Sequence, residues 1–139
     1  MRRVFADSFY FFALVSEDDR LHQGAEDFAD SFIGELVTTD WVLTEVADGL
    51  ARPLWRSGFL KLHQELVANP KVWIEPCSHD LQIEGIELYR NRPDKAWSLT
   101  DCISFVVMNR EQISEALTAD HHFEQAGFVA LLRSDKPTA

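Results

Sequence analysis

The sequence predicts an α/β fold: a three-layer α/β/α sandwich with a mainly parallel central sheet. Short apolar runs typical of buried strands alternate along the chain with segments whose apolar residues recur every three or four positions, as in amphipathic helices. This alternation favours parallel strands, because each intervening helix returns the chain to the end of the sheet where the previous strand began. The 139 residues are the length of one domain with a single hydrophobic core.

The first two strands and their helices are predicted in the amino-terminal part of the chain. Residues 4–6 form a short apolar run that predicts a buried strand, and the aromatic-rich residues 8–14 predict a helix. Residues 36–39 predict the second strand, and Asp40 is placed to cap the helix that follows it. Between these units, a long amphipathic helix is predicted from one apolar stripe: Leu21, Ala25, Phe28, Ala29, Phe32, Ile33 and Leu36.

The middle of the chain is predicted to hold two more helices around a third strand. Pro53 is expected to end or bend the helix that Asp40 begins, because proline has no amide hydrogen to donate within a helix. Residues 59–67 then predict a helix, residues 72–74 a strand and residues 81–89 another helix.

The carboxyl-terminal part begins with the most apolar helix of the chain. Ser98 is predicted to open this helix, and residues 103–108 are apolar nearly all round, which indicates a helix in the centre of the molecule. Residues 116–119 predict a strand, residues 121–126 a short helix and residues 128–132 a last buried strand.

Composition excludes several classes of protein. With 46% hydrophobic and 26% charged residues, the chain has the composition of a soluble globular protein. Its apolar runs are shorter than the roughly 18 residues of a membrane-spanning helix, so we expect a cytoplasmic protein with no membrane contact. The formal net charge of −10 argues against a broad basic face for nucleic acid, and any such contact must come from a local basic rim.

We expect one domain, residues 1–133, followed by a polar carboxyl-terminal tail, residues 134–139. The sequence has no internal repeat and no low-complexity linker. Cys77 and Cys102 lack the spacing of a zinc site and are too few for a disulfide scaffold, so both are expected to be reduced.

Four acidic residues follow strands or lie in the first turns of helices: Asp7, Glu45, Asp101 and Asp120. Each has an ordinary explanation, as a helix cap or as a solvated helix residue; Asp101, for example, fits a capping box with Ser98. Their joint arrangement favours one shared site, because the crevice of a parallel sheet lies beyond the carboxyl ends of its strands. Carboxylates held together repel one another unless a divalent cation neutralises them. The four acids therefore predict a metal-dependent site, with nearby hydroxyls such as Ser8 and Thr118 supporting the ligands.

With these segments in view, the chain resembles the PIN-domain family, a ribonuclease fold that includes the toxins of many bacterial and archaeal toxin–antitoxin pairs. The resemblance covers almost the whole chain and is carried by residues 4–8, 44–47, 98–102 and 117–123, together with Gly127.

The sequence departs from the usual family pattern at two places. Ser8 and Phe9 replace the more usual Thr-Ser after the first acid, and Thr44 stands where Asn is common before the glutamate. Neither departure removes a presumed carboxylate ligand.

The resemblance implies a function and a division of roles. The four acids would hold one or two Mg²⁺ (or Mn²⁺) ions for cleavage of RNA, leaving a 5′-phosphate and a 3′-hydroxyl. Asp7 and Asp101 would bind the first metal most directly, Glu45 would support it or orient the attacking water, and Asp120 would be the peripheral ligand. The resemblance also implies an RNA substrate, a small antitoxin protein as partner, and a homodimer.

Two alternatives remain open at this point. One is another α/β phosphoryl-transfer domain, although Phe9 stands where an aspartate-nucleophile phosphatase needs an acid, and no lysine follows residues 116–119 as a receiver domain requires. The other is a catalytically idle module that keeps the fold for protein binding.

The remaining reactive and aromatic residues have ordinary structural explanations. The tryptophans at positions 41, 55, 73 and 97 are expected in the core rather than stacked on bases, Trp73 above all. His121 and His122 are interpreted as a helix start near the site rather than as metal ligands, and Cys102 is not expected to act as a nucleophile because no base adjoins it. The aromatic residues 9–12 fit either a partner surface or the core.

Overall fold

A computed structural model describes residues 1–132 and confirms the predicted fold class. Five strands form one all-parallel sheet in the order β3-β2-β1-β4-β5, and seven helices within the described range pack around it. The predicted tail, residues 134–139, and the domain boundary at residue 133 lie outside the described residues. The elements in chain order are β1 (Arg3–Ala6), α1 (Ser8–Val15), α2 (His22–Ser31), β2 (Glu35–Thr39), α3 (Asp40–Gly49), α4 (Pro53–Ala68), β3 (Val72–Glu75), α5 (His79–Asn91), α6 (Leu99–Arg110), β4 (Glu115–Leu117), α7 (His121–Gln125) and β5 (Val129–Ala130).

The strand order creates a crevice beside the central strand. From β1 the chain builds outward to β2 and β3 on one side, and later places β4 and β5 on the other. β1 pairs with β4 in parallel, with Phe5 opposite Ala116 and Ala6 opposite Leu117. The residues that follow these two strands therefore emerge side by side, at the point where the direction of strand addition reverses.

The core includes β1 and the central helix α6. Phe5, Phe105 and Phe123 are almost completely buried, and the Phe105 ring meets the Phe123 ring edge-on at 4.9 Å between centroids. Seven residues of α6 are buried, which confirms the predicted central helix. This helix carries Asp101 in its first turn, so the packing of its apolar residues fixes the position of that carboxylate.

The long amphipathic helix ends earlier than predicted. α2 stops at Ser31, Ile33 is 89% exposed, and Leu36 belongs to β2 rather than to the helical stripe. The helix ends where Phe32 adopts an extended backbone conformation. Gly34 then allows the close approach to β1, because a Cβ at this position would lie 2.3 Å from the carbonyl oxygen of Arg2. The three- and four-residue spacing continues past the end of the helix because Leu36 is apolar too. Leu36 is buried in the sheet, however, and not on the helix.

Three smaller predictions also need correction. Thr39, not Asp40, caps α3, since the Thr39 hydroxyl accepts a hydrogen bond from the Val42 N–H at 3.0 Å. The last strand is only Val129–Ala130, and Val129 is 45% exposed. Trp73 is not core: it is 53% exposed on the edge strand β3, where its indole N–H donates to Glu75.

No helix within residues 1–132 combines the length and apolarity needed to cross a membrane.

Candidate active site at the carboxyl ends of β1 and β4

The candidate site forms where β1 and β4 end next to each other. Asp7 directly follows β1 and precedes α1, while Thr118 directly follows β4. Asp120, two residues further on, is the N-cap of α7. The parallel register of the two strands places these side chains together, as expected for the carboxyl edge of a parallel sheet.

Asp7 is the most deeply buried acid of the site. Its side chain is 3% exposed, and its Oδ2 accepts a hydrogen bond from the Thr118 hydroxyl at 2.8 Å. Burial raises the pKa of Asp7 from 3.8 to about 7, against the opposing effect of the Thr118 hydrogen bond, and the negative charges of Asp101 and Glu45 raise it further. A carboxylate in this environment is stabilised by a positive charge in the crevice.

Thr118 joins the two strand ends through one hydroxyl. Its Oγ1 donates to Asp7 Oδ2 and accepts from the Asp120 backbone N–H at 3.0 Å. Thr118 is completely buried, so this geometry excludes water from both hydrogen bonds. The hydroxyl thereby fixes the orientation of Asp7 relative to the turn that carries Asp120.

Asp101 combines a structural role with a place in the site. It forms a complete capping box with Ser98: the Asp101 N–H donates to the Ser98 hydroxyl at 3.0 Å, and the Ser98 N–H donates to Asp101 Oδ2 at 3.2 Å. Burial raises the pKa of Asp101, and the charge of Asp120 raises it further. The capping explanation weighed from the sequence is therefore correct, and the same carboxylate also faces Asp120.

His122 connects two of the carboxylates. Its Nδ1 lies 3.1 Å from Asp101 Oδ2 and 3.3 Å from Asp120 Oδ1, and its backbone N–H donates to the same Asp120 oxygen at 2.9 Å. From the sequence, a helix start near the site was favoured for His121 and His122 over binding of a transition metal or a phosphate. The pattern Asp-x-His after a strand carries too little information to predict that the ring turns back toward a helix 21 residues away in sequence.

Glu45 lies at the rim rather than in the buried part of the site. It is an exposed residue of α3, and within residues 1–132 its carboxylate has no hydrogen bond or ion pair. Its connection to the other acids is electrostatic, through its effect on the pKa of Asp7. The neighbouring Thr44 does not serve Glu45, because its hydroxyl donates to the Asp40 carbonyl at 2.8 Å.

Ser8 and Cys102 flank the two most buried acids. Ser8 is the buried first residue of α1 and borders a groove of about 720 Å³ between α1 and the first turns of α4. Cys102 is fully buried, and burial raises the pKa of its thiol to about 11, so the thiol is neutral at physiological pH. Its surroundings support the expectation that it is not a nucleophile.

The donor set of the site suits a hard divalent cation. Within residues 1–132, no lysine or arginine forms an ion pair with Asp7, Asp101 or Asp120, and their only basic partners are histidines. Within the described residues, one group of three ligand atoms lies within 4.8 Å of one another, from Asp120, His121 and His122. Asp7 and Asp101 lie outside that group, whose two imidazoles make it a softer donor set than carboxylates alone. Clustered carboxylate oxygens with so little compensating charge are the ligands that Mg²⁺ and Mn²⁺ prefer.

Comparison with known proteins identifies the family and the relatives that this chain resembles. Residues 4–129 match the family model described as PIN domain. The 23S rRNA-specific endonuclease VapC20 of Mycobacterium tuberculosis is 29% identical over 132 residues, which cover 91% of this chain and 95% of that protein.

Three solved structures share the fold of this chain. The crystal structure of M. tuberculosis VapC20, described as a sarcin–ricin loop cleaving toxin, has a TM-score of 0.82 at 25% identity, over 91% of this chain and 96% of that one. FitAcB from Neisseria gonorrhoeae has a TM-score of 0.66 at 16% identity, over 91% and 94% of the two chains. VapBC2 from Rickettsia felis, bound to a promoter DNA fragment, has a TM-score of 0.64 at 11% identity, over 92% and 96%. The last two likenesses show the fold alone.

Proposed function

The chain belongs to the PIN-domain family, and on that premise we propose that it is a metal-dependent endoribonuclease, the toxin of a toxin–antitoxin pair. One observation supports the proposal most strongly. Asp7, Asp101 and Asp120 converge at the carboxyl ends of β1 and β4 and are linked by Thr118 and His122. Within residues 1–132, none of these three carboxylates forms an ion pair with a lysine or arginine.

Asp7 and Asp101 are proposed to hold a Mg²⁺ or Mn²⁺ ion most directly, with Asp120 as a peripheral ligand and Glu45 at the rim. When bound, such an ion lowers the pKa of a coordinated water and neutralises charge that develops on a phosphodiester. The pKa of Asp7, raised to about 7 by burial, supports this assignment, because a buried carboxylate that is costly to ionise gains most from a neighbouring cation.

Neighbouring residues of the chain hold these carboxylates in position. Thr118 orients the Asp7 carboxylate through its 2.8 Å hydrogen bond. Ser98 and the first turn of α6 hold Asp101 through the capping box, and His122 holds Asp101 and Asp120 near each other. Glu45, which is exposed to solvent, is proposed to orient a water at the mouth of the crevice.

The proposed substrate is RNA, cleaved to leave a 5′-phosphate and a 3′-hydroxyl. VapC20, to which this chain is 29% identical, is a 23S rRNA-specific endonuclease, so a ribosomal RNA stem-loop is the first substrate to test. An RNA substrate of this kind also agrees with the expected cytoplasmic location.

The proposed antitoxin would bind in the groove between α1 and α4. The groove contains the exposed apolar residues Phe9, Leu54 and Trp55, which are 40%, 90% and 46% exposed, and Asp18 and Asp19 lie at its margin. A segment with an apolar face and basic residues would match both features. Because Ser8 lines the same groove, a bound segment would adjoin Asp7 and restrict access to the site. A homodimer is part of the proposal and is checked by the mass of the purified protein in solution.

The nuclease is tested by incubating a sarcin–ricin loop RNA with the purified protein in Mn²⁺, in Mg²⁺ and in excess EDTA. Asp101→Asn keeps a side chain of the same shape but removes the charge. Loss of a group that only supports a metal ligand lowers activity roughly 10–100-fold. Because Asp101 is proposed as a ligand itself, we expect Asp101→Asn to lower the cleavage rate by more than this. Asp48→Asn on the exposed face of α3 is the matched control and should cleave like the wild type.

Equal cleavage by the wild type and by Asp101→Asn would point to a contaminating nuclease and would contradict the proposal. Absence of cleavage, combined with capture of a small partner protein by the wild type, would favour the idle binding module.

A further inference from the structure

We propose that a basic pocket between α5 and α6 binds the RNA substrate beside the carboxylate site, an inference that rests on the proposed function. The pocket, here called the α5–α6 pocket, has a volume of about 480 Å³. The lining residues that matter are Tyr89, Arg90, Arg92, Lys95, Trp97 and Cys102.

The α5–α6 pocket concentrates positive charge in an acidic protein. Residues 89–97 contain three of the 13 lysines and arginines of the chain but only one acid, Asp94, whereas the whole chain carries a formal net charge of −10. Arg92 pairs with Asp94 through two hydrogen bonds of 3.0 and 3.1 Å, and Arg90 pairs with Glu87. Lys95 makes no ion pair with a carboxylate within residues 1–132. Lys95 interacts with Asp94 only through charge, helping to lower the pKa of that carboxyl, and its ammonium can also receive a phosphate.

The same pocket presents aromatic surface. The Arg92 guanidinium lies over the Trp97 indole at 5.0 Å from the ring centroid, and the indole N–H donates to Gln125 at 3.0 Å. Trp97 is thus fixed in the structure and holds Arg92 in place. Tyr89 is 56% exposed at the edge of the pocket, where its ring offers a face to an unpaired base.

The α5–α6 pocket adjoins the candidate site through the start of α6. Trp97 directly precedes Ser98, which forms the capping box with Asp101, and Cys102 directly follows Asp101. A single strand held by Lys95 and Arg92 therefore lies next to the helix turn that carries Asp101.

RNA matches these features better than an acidic peptide does. Both ligands supply negative charges for Arg92 and Lys95, but only a nucleic acid also brings planar bases for the exposed Tyr89 ring. The pocket is therefore assigned to the phosphates and an unpaired base of an RNA strand.

The assignment is tested by fluorescence anisotropy with a labelled sarcin–ricin loop RNA in EDTA, a measurement that does not depend on cleavage. The double variant Arg92→Gln, Lys95→Gln removes two charges from the pocket. Lys61→Gln, Lys71→Gln removes one charge from α4 and one from the residue that precedes β3, and is the matched control. We expect the pocket variant to raise Kd about tenfold and to reduce the slope of log K against log salt by about 1.4, as loss of two phosphate contacts to a single strand predicts.

Tyr89→Ala separates stacking from charge. It should raise Kd severalfold while leaving the salt dependence unchanged, because no charge is removed. Polyglutamate at equal charge concentration should compete poorly for the pocket; effective competition that the pocket variant abolishes would instead assign the pocket to an acidic peptide.

The outcomes for the pocket and for the nuclease are distinguishable. Equal Kd values for the pocket variant and its control would overturn the RNA assignment even if the protein cleaves RNA. A selective loss of binding in the pocket variant would support the assignment even if no cleavage is found. If cleavage is found, the pocket variant should raise KM with little change in kcat, because the variant leaves the carboxylates intact.

Discussion

The two ends of the central sheet treat acidic residues in opposite ways. At the amino ends of the strands, Glu115 at the start of β4 pairs with Arg2 through two contacts of 3.0 Å, and Glu35 at the start of β2 lies 3.3 Å from Arg3. At the carboxyl ends, within the described residues, Asp7 and Asp120 have hydroxyl, amide and imidazole partners but no arginine or lysine.

This difference separates ion-paired acids, which support the fold, from the buried Asp7, whose ionisation opposes folding. An exposed ion pair at the amino ends contributes at most about 1 kcal/mol, but it leaves no charge uncompensated. A buried carboxylate at the carboxyl ends costs free energy when it ionises, and that cost persists only where a function requires it. The comparison therefore locates the candidate site independently of any relative.

The largest expected effect is on the pH dependence of the free energy of unfolding, and it comes from Asp7. Its folded pKa, about 7, lies above the ordinary 3.8, so between these values the metal-free native state keeps a proton that the unfolded chain has lost. The free energy of unfolding must then fall as pH rises through this interval, with Asp7 contributing up to about 1.4 kcal/mol per pH unit. Asp7→Asn should show a flatter profile in EDTA and be more stable than the wild type at pH 8, as measured by urea unfolding.

The wild type and Asp7→Asn must be compared directly, because the other acids of this chain also repel one another more strongly as pH rises. Parallel profiles for the two proteins would show that Asp7 ionises as readily as a surface carboxylate. Saturating Mn²⁺ should stabilise the wild type at pH 8 and stabilise Asp7→Asn much less, because a ligand bound only by the folded state adds to its stability.

Thr118→Val should have the next largest effect. The substitution keeps the shape of the side chain but removes both hydrogen bonds of a fully buried hydroxyl, so Asp7 loses a donor and the Asp120 N–H loses an acceptor. We expect a loss of about 1–3 kcal/mol in unfolding free energy and a weaker Mn²⁺-dependent rise in Tm. Thr118→Ser, which keeps the hydroxyl, should retain most of the unfolding free energy and most of the Mn²⁺-dependent rise in Tm. Equal behaviour of the Val and Ser variants would show that the methyl group, not the hydroxyl, matters.

His122 should act on metal affinity more than on stability. Its Nδ1 lies within 3.3 Å of both Asp101 and Asp120. His122→Ala should weaken Mn²⁺ binding about 10–100-fold in calorimetry, as expected for a group that orients metal ligands. In His122→Asn the amide nitrogen occupies nearly the place of Nδ1 and should restore binding, whereas His122→Gln should restore it less. Unchanged Mn²⁺ affinity in all three variants would exclude a positioning role.

The smallest effect is expected at the opposite end of the sheet. Arg2→Gln breaks the Glu115 pair, whose side chains are 47% and 30% exposed. We expect a loss of at most about 1 kcal/mol that shrinks at high salt, with metal binding unchanged. A change in Mn²⁺ affinity comparable to that of His122→Ala would show that the two ends of the sheet are energetically coupled.

Prediction from the sequence succeeded where a local pattern and a global requirement agree. Residues 103–108 are apolar nearly all round because α6 is largely surrounded by protein, so the sequence alone predicted the central helix. Trp73 was misplaced because hydrophobicity does not reveal that β3 is an edge strand with one side open to solvent. The α2 stripe was extended too far because Leu36 keeps the helical spacing although it belongs to the sheet.

By itself, the sequence determined the alternation of strands and helices, the parallel sheet and the four acids from which a metal site was predicted. Only the tertiary structure decided how those acids are partnered: Asp7 shares a hydroxyl with the Asp120 turn, His122 joins Asp101 to Asp120, and Glu45 stays at the rim. The physical reason is the separation along the chain of the residues that determine each property. Strand and helix preferences depend on neighbours a few residues apart, whereas the pKa of a buried acid depends on groups brought to it from 111 residues away.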